Sequence, residues 1–376
     1  MTHRLVFGLL GLLLSSALYA DLKINDLQYL STHNSYKEFM PTFVTNAVNA
    51  FCAGSLLPDY QHLPIETQLE KGVRQFEIDV FADPQGGRYH ESVILSTLGE
   101  DGWIYDDSLA KPGFKVMHEP NIDFHTRCQP FTNCLQRFLS WSNAHPNHLP
   151  LFIQLEIISE PPSVLGGLGD LVQGLEALGW IVPLPITDAL LQNLQDEIRS
   201  VIPLEKIITP DQIRGNFPTL KEAVLANNWP TLAESRGKFG FIMDTKPDVY
   251  TNYVQNYPSF RGQLLFAYTE DSSTDEAAFI IMNNPKEGNN AQQISSLVSQ
   301  GFIVRTRADS ETVEAYANDT STREAALSSG AQFVSTDYIV PAPETKTDYH
   351  VWIPNGNPAR CNPVRTTPCN STMIAE

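Results

Sequence analysis

Short runs that alternate apolar and polar positions, or are rich in β-branched residues, are separated by stretches with helical spacing over most of the chain. The short runs predict strands at 27–32, 75–81, 115–118, 151–157, 239–244, 264–268, 303–306 and 333–337, with 279–282 competing for the sixth place. Helical spacing predicts helices at 65–71, 131–144, 164–178, 188–200, 291–300 and 320–329. Ser321-x-x-Glu324 reads as a capping box opening the last helix, and Gly330 as its stop. Strands alternating with helices in this number predict an α/β fold, a single closed parallel (β/α)8 barrel. There is no internal repeat. The expected organisation is a processing segment over 1–20, the barrel over 21–340, and a Pro/Asn/Thr-rich tail over 341–376, stapled to the barrel by its cysteines.

The first segment sets the compartment. His3 and Arg4 precede an apolar run over 5–14 that is too short to span a bilayer, and small residues follow at Ser15, Ser16, Ala17 and Ala20. This is the pattern of a signal peptide, cut after Ala17 or Ala20; an uncleaved anchor is the alternative. A secreted or periplasmic protein is expected, so the 5 cysteines become candidates for disulfides. Cys128 with Cys134 and Cys361 with Cys369 are close enough in sequence to pair, which leaves Cys52 over. No Cys-x-x-Cys pair exists to build a zinc cage. Asn318 and Asn370 begin glycosylation sequons that matter only in a eukaryotic source. The formal charge of −18 argues against nucleic acid as a partner and against long-range attraction to an anionic membrane.

The candidate chemistry lies at the ends of successive predicted strands. The first closes with Ser31-Thr32-His33-Asn34-Ser35-Tyr36, the second holds Arg74-Gln75-Phe76-Glu77-Ile78-Asp79, the third ends at His118-Glu119, and the fourth contains Leu155-Glu156. Barrel enzymes place their sites at these ends. Glu77 and Asp79 share one face of a strand whose other face, Phe76, Ile78 and Val80, is apolar; periodicity alone leaves the carboxylates facing either the barrel interior or solvent. Glu156 sits in an apolar run, where an unpaired carboxylate is costly. If they face inward, Glu77, Asp79 and Glu156 with the Asn34 carbonyl make an all-oxygen set suited to Ca²⁺ or, less well, Mg²⁺.

These motifs, in this order, resemble the phosphatidylinositol-specific phospholipases C, and more closely their secreted calcium-dependent branch. The runs 301–312 and 329–338 are similar to that branch as well, so the resemblance covers nearly the whole mature chain. It implies a (β/α)8 phosphodiesterase in which Asn34, Glu77, Asp79 and Glu156 hold Ca²⁺ and His33 and His118 form the catalytic pair. It implies basic groups on later strands that hold phosphate or inositol oxygens, for which Lys246, Arg305 and Arg307 are available. Arg74 receives no role from it, and a structural ion pair is its default. The implied reaction uses the inositol 2-hydroxyl as internal nucleophile and releases diacylglycerol and inositol 1,2-cyclic phosphate. His118 would be the general acid for the glycerol oxygen, His33 would steady the phosphoryl oxygens, and Glu77 or a histidine would take the hydroxyl proton.

Three other readings compete. A glycerophosphodiester phosphodiesterase shares the barrel, the Glu-x-Asp and paired histidines, but takes water-soluble substrates. A metal-independent phospholipase C would put an arginine where this chain has its acidic set. A catalytically silent secreted binding protein could use the same scaffold. The expected partner is a phospholipid or small phosphodiester, with transient membrane-surface contact through Phe39, Met40, Phe43 and Phe51 or through Trp103 and Tyr105, all of which core packing explains as well.

Overall fold

A computed structural model describes residues 22–42, 44–46, 60–90, 107–159, 179–310, 312–354, 356 and 358–376. Its strands are β1 (Leu27–Thr32), β2 (Val73–Phe81), β3 (Lys115–Val116), β4 (Leu151–Ile157), β5 (Ile207–Ile208), β6 (Phe239–Asp244), β7 (Leu265–Thr269), β8 (Phe279–Ile281), β9 (Ile303–Arg307), β10 (Phe333–Thr336) and β11 (Ala359–Cys361). Eight of them run parallel around a closed ring, β1-β2-β4-β6-β7-β8-β9-β10, and β10 returns to β1. The predicted barrel is present.

One stave differs from the expectation. The run at 115–118 is not part of the ring: β3 is two residues long and lies antiparallel on the end of β2, pairing Val116 with Val80. Its Lys115 ammonium is satisfied locally, by the Lys111 and Gly113 carbonyls and Asp83, rather than by a barrel neighbour. The run near 279 is not a competitor for the sixth place but a stave beside it, β8.

Alternation decides what lies inside. Phe76 turns outward and packs on Phe138 of the helix Phe131–Ala144, with ring centroids 4.8 Å apart. Inside, Phe152 of β4 meets Phe333 of β10 at 4.9 Å and Phe279 of β8 at 6.3 Å, closing the barrel floor with aromatic rings. Gly240 on β6 makes room for this plug, since a Cβ there would come within 2.9 Å of the Phe152 ring. The carboxylates gather above this floor, toward the C-terminal end of the interior.

The helices predicted at 65–71, 131–144, 188–200, 291–300 and 320–329 occur as Ile65–Glu70, Phe131–Ala144, Asp188–Val201, Asn290–Gln300 and Ser321–Ser329. The predicted helix at 164–178 lies outside the described residues. Pro247–Asn256 escaped the sequence reading because it buries little besides Val249 and Tyr253. The Ser321–Glu324 capping box does not form: the Asp319 carboxylate accepts from the Ser321 N–H at 2.8 Å, and Glu324 is taken by Arg323.

Gly330 does end the last helix, in the left-handed region at φ 80°, and a Cβ there would meet Val364 Cγ2 at 2.4 Å. Gly330→Ala should therefore destabilise by about 1–3 kcal/mol, read as a lower melting temperature with unchanged activity per folded molecule. Both expected disulfides are formed, Cys128–Cys134 and Cys361–Cys369. Cys52 lies outside the described residues, as does the segment 1–20. The Cys361–Cys369 bridge lies within the tail, so cysteines do not staple the tail to the barrel as expected; instead β11 pairs antiparallel with β1, and Arg365 ion-pairs with Asp26 at 3.0 Å.

Candidate active site

Strand register assembles a row of carboxylates at the mouth. Asp79 on β2 is level with Glu156 on β4, and Glu156 is level with Asp244 on β6. Oxygens of Glu77, Asp79 and Glu156 all lie within 4.8 Å of one another. Glu77 and Asp79 are buried, so the question left open by periodicity has its answer: they face the interior.

Packed together, these groups disturb one another. Burial, then the charges of Glu156 and Glu77, push the Asp79 carboxyl well above the carboxylate range, with the nearby Tyr36 hydroxyl as a partial counterweight. Burial and the charges of Asp244 and Glu77 push Glu156 up to about 8, and burial with Glu77 pushes Asp244 up to about 6. Glu77 goes the other way. Burial works to raise it, but the Arg305 guanidinium, 2.6 Å from its Oε2, outweighs burial and holds it low.

Across the mouth, Asn34 is positioned by reciprocal bonds between its neighbour and β2. Ser35 N donates to the Glu77 carbonyl and Glu77 N donates to Ser35 Oγ, both at 2.9 Å. Asn34 itself sits at φ 46° and is buried. Asn34 Oδ1 and Asp79 Oδ1 are buried without a hydrogen-bond partner of normal geometry. Orphaned oxygens beside carboxylates forced toward protonation are the signature of a cation site, and the donor set fits a hard divalent ion.

Two imidazoles flank this cluster, each held by an aspartate. His33, just beyond β1, has Nδ1 2.7 Å from Asp337 Oδ1, and Arg307 donates to Asp337 Oδ2 at 3.0 Å. Burial alone would raise Asp337, but the His33 and Arg307 charges hold it well below the usual range. Burial and Arg307 lower the His33 pKa against the pull of Asp337, which favours neutral imidazole. With Asp337 as acceptor the proton belongs on Nδ1, and Nε2 is left with a lone pair. His118 follows β3, and because β3 rides on Val80 and Phe81 at the top of β2, it too reaches the mouth. Its Nδ1 is 2.8 Å from Asp123 Oδ2, and Asp123 is ion-paired at 3.0 Å with the buried Lys37. Burial is outweighed by Lys37 and His118, so Asp123 stays ionised.

The basic candidates are placed differently from one another. Arg305 is buried inside the barrel and committed to Glu77 and to Asn283 Oδ1 at 2.5 Å, which makes it a counter-ion of the carboxylate cluster. Arg307 is at the mouth and bound to Asp337. Lys246 is exposed, capping the start of the helix Pro247–Asn256. Arg74 makes the structural ion pair expected of it, with Glu376. Of the apolar candidates, Met40 is buried and Phe39 half-buried, while Phe43, Phe51, Trp103 and Tyr105 lie outside the described residues.

Sequence reasoning missed Asp123, Asp244 and Asp337. Asp244 and Asp337 end predicted strands, so applying the strand-end rule to the later staves would have flagged both. Asp123 follows β3 in a short antiparallel bridge with Glu119 that carries no pattern of its own. A cavity of about 820 Å³ opens beside Asp244, lined by Glu270, Asn283, Asn284, Glu287 and Gln293.

Over residues 22–363 the sequence matches the family model described as phosphoinositide phospholipase C, Ca²⁺-dependent. Among solved structures, the fold is similar to a calcium-dependent phosphoinositol-specific phospholipase C from the Gram-negative bacterium Pseudomonas sp., at TM-score 0.55 and 13% identity over 90% of this chain and 95% of that one. The myo-inositol complex of that enzyme aligns at TM-score 0.53 and 13% identity, covering 91% and 96% of the two chains. A Ca²⁺-dependent phosphatidylinositol-specific phospholipase C from Streptomyces antibioticus aligns at TM-score 0.51 and 16% identity, over 84% and 95%. At these identities the solved structures speak for the fold. No curated protein matches the chain.

Proposed function

The chain belongs to the calcium-dependent phosphoinositide phospholipase C family and is a phosphodiesterase, and from that premise we propose that it cleaves phosphatidylinositol to diacylglycerol and inositol 1,2-cyclic phosphate. The observation that carries the reading is the trio of carboxylates within 4.8 Å, flanked by two imidazoles that each lean on a buried aspartate. Asn34, Glu77, Asp79 and Glu156 would hold Ca²⁺, which when bound would supply positive charge against the phosphoryl oxygens and acidify the attacking hydroxyl.

His33 Nε2 accepts the proton of the inositol 2-hydroxyl as its oxygen bonds to phosphorus. The Asp337 contact favours this base role over the phosphoryl-steadying one, because it fixes the neutral tautomer and stabilises the imidazolium that forms. His118, hydrogen-bonded through Nδ1 to Asp123, gives its proton to the glycerol oxygen as the bond from phosphorus to that oxygen breaks. Arg307 lies beside Asp337, near enough to the mouth to meet a phosphoryl oxygen. Lys246 remains a candidate for the headgroup, whereas Arg305 serves the metal site through Glu77.

Export through a signal peptide over 1–20 fits the two disulfides, which persist in oxidising compartments. Among the described residues no helix is long and apolar enough to cross a membrane. We propose that lipid contact is transient and local; Val313 and Tyr316, exposed on the short helix Val313–Ala317 after β9, are suited to it. Release of diacylglycerol from phosphatidylinositol vesicles, compared with turnover of glycerophosphoinositol, tests the choice of substrate. The lipid should be preferred; faster turnover of the soluble diester would favour a glycerophosphodiesterase, and turnover of neither a binding protein.

A further inference from the structure

Asp309 lies two residues beyond β9 and is completely buried, although no step above uses it. Its carboxyl braces the strand end that carries Asp337. Oδ1 accepts from the Asp337 backbone N–H at 2.9 Å, and Oδ2 accepts a short bond from the Thr336 hydroxyl. Thr336 Oγ1 in turn accepts from Tyr338 N–H at 2.9 Å.

A third contact bears on the protonation state. Tyr349 Oη is 2.9 Å from the Ala308 carbonyl and 3.2 Å from Asp309 Oδ2, and its O–H faces both acceptors. One proton cannot serve both at full strength. A proton on Asp309 Oδ2 would give each contact its own. Electrostatics agree. Burial and the charge of Asp337 push the Asp309 pKa up to about 7, against the pull of Arg307. The charged and titratable groups facing Asp309 are Arg307 from β9, Asp337 and Tyr338 from the end of β10, and Tyr349. Glu314 of the neighbouring helix faces it too, and is itself bound to Ser310 N and the Thr322 hydroxyl.

We infer that Asp309 is a positioning residue for the His33–Asp337 pair, acting as a neutral carboxylic acid, and that its ionisation loosens the pair and lowers kcat at alkaline pH. As an acid it anchors the Asp337 backbone without competing for the charge of Arg307. As an anion it repels Asp337, draws Arg307 away from it, and leaves the Tyr349 hydroxyl one proton for two acceptors. The inference rests on His33 and Asp337 working as proposed above.

The test compares wild type, Asp309→Asn and Asp309→Ala as full-length calcium-loaded protein on a soluble chromogenic inositol phosphodiester, with Asp337→Asn as the control for the underlying reading. Asp309→Asn is permanently neutral and should extend the activity plateau to higher pH. Asp309→Ala should lower kcat by about 10–100-fold with little change in KM, as loss of an orienting partner does elsewhere. Infrared difference spectra, wild type minus Asp309→Asn, should show a protonated-carboxyl C=O band that titrates away as the alkaline decline sets in. An Asp309→Asn profile identical to wild type, or no such band, overturns the inference, and these readouts decide the matter even if Asp309→Ala does not fold. Full activity in Asp337→Asn would remove the underlying reading as well; loss of activity in Asp337→Asn beside unaltered Asp309 variants would overturn this inference alone.

Discussion

His33→Ala and His118→Ala are each expected to lower kcat by about 10²–10⁴-fold, the usual worth of a positioned acid or base. The two residues approach from separate elements, β1 and the antiparallel β3, and each is held by its own aspartate. The proposed mechanism puts both in one reaction, so the double variant should lose much less than the product of the single losses. Substrate chemistry separates their roles. A good leaving group needs no proton, so a nitrophenyl inositol phosphate should restore His118→Ala substantially and His33→Ala little. Equal rescue of both, or of neither, would mean that acid and base are wrongly assigned.

The second large effect concerns the carboxylates. Glu156→Gln and Asp79→Asn should each abolish most calcium-dependent turnover, yet neither should harm the metal-free fold. The sign follows from the pKa directions. Glu156 titrates near 4.5 when unfolded but is pushed up to about 8 in the fold, and Asp79 is raised in the same sense. Each proton is held more tightly by the folded protein. The contribution of the Glu156 proton to metal-free stability is therefore fully present below about pH 4.5 and is lost as pH rises through the folded value of about 8. At neutral to alkaline pH, removing one carboxylate relieves that penalty, and calcium relieves it in wild type. Wild type should gain melting temperature on adding calcium, by about 2.7 kcal/mol of stability at a hundredfold excess over Kd. Glu156→Gln should melt higher than wild type without calcium and respond little to it. A Glu156→Gln variant that melts lower than wild type and still shifts with calcium would contradict the assignment.

How much was legible beforehand differs between staves and site. Strands at 27–32 and 239–244 are bounded as the sequence predicts because the runs there end at polar residues, Thr32 and Asp244, and the strand at 151–157 follows the apolar run that carries Glu156. The stave at 115–118 was misplaced because a short apolar run looks the same whether it closes a ring or lies on top of one; only tertiary pairing distinguishes them. The convergence of Glu77, Asp79 and Glu156 could be anticipated from period-two alternation and strand order, once the apolar face of β2 was known to point outward. The partners of the histidines could not be anticipated. Asp337 comes from the far end of the sequence, and Asp123 from a turn whose ion pair with Lys37 crosses to the loop after β1. The Arg305–Glu77 ion pair could not be anticipated either, because a strand arginine gives no sign that its guanidinium faces a carboxylate on a distant stave.

Phosphorus NMR of phosphatidylinositol vesicles incubated with the protein, in calcium and again in excess chelator, tests the central claim most directly. The account predicts a signal of inositol 1,2-cyclic phosphate that grows in calcium and is absent in chelator. Cyclic product formed at the same rate in chelator would contradict it, because Asp79, Glu77 and Glu156 would then have no metal to hold.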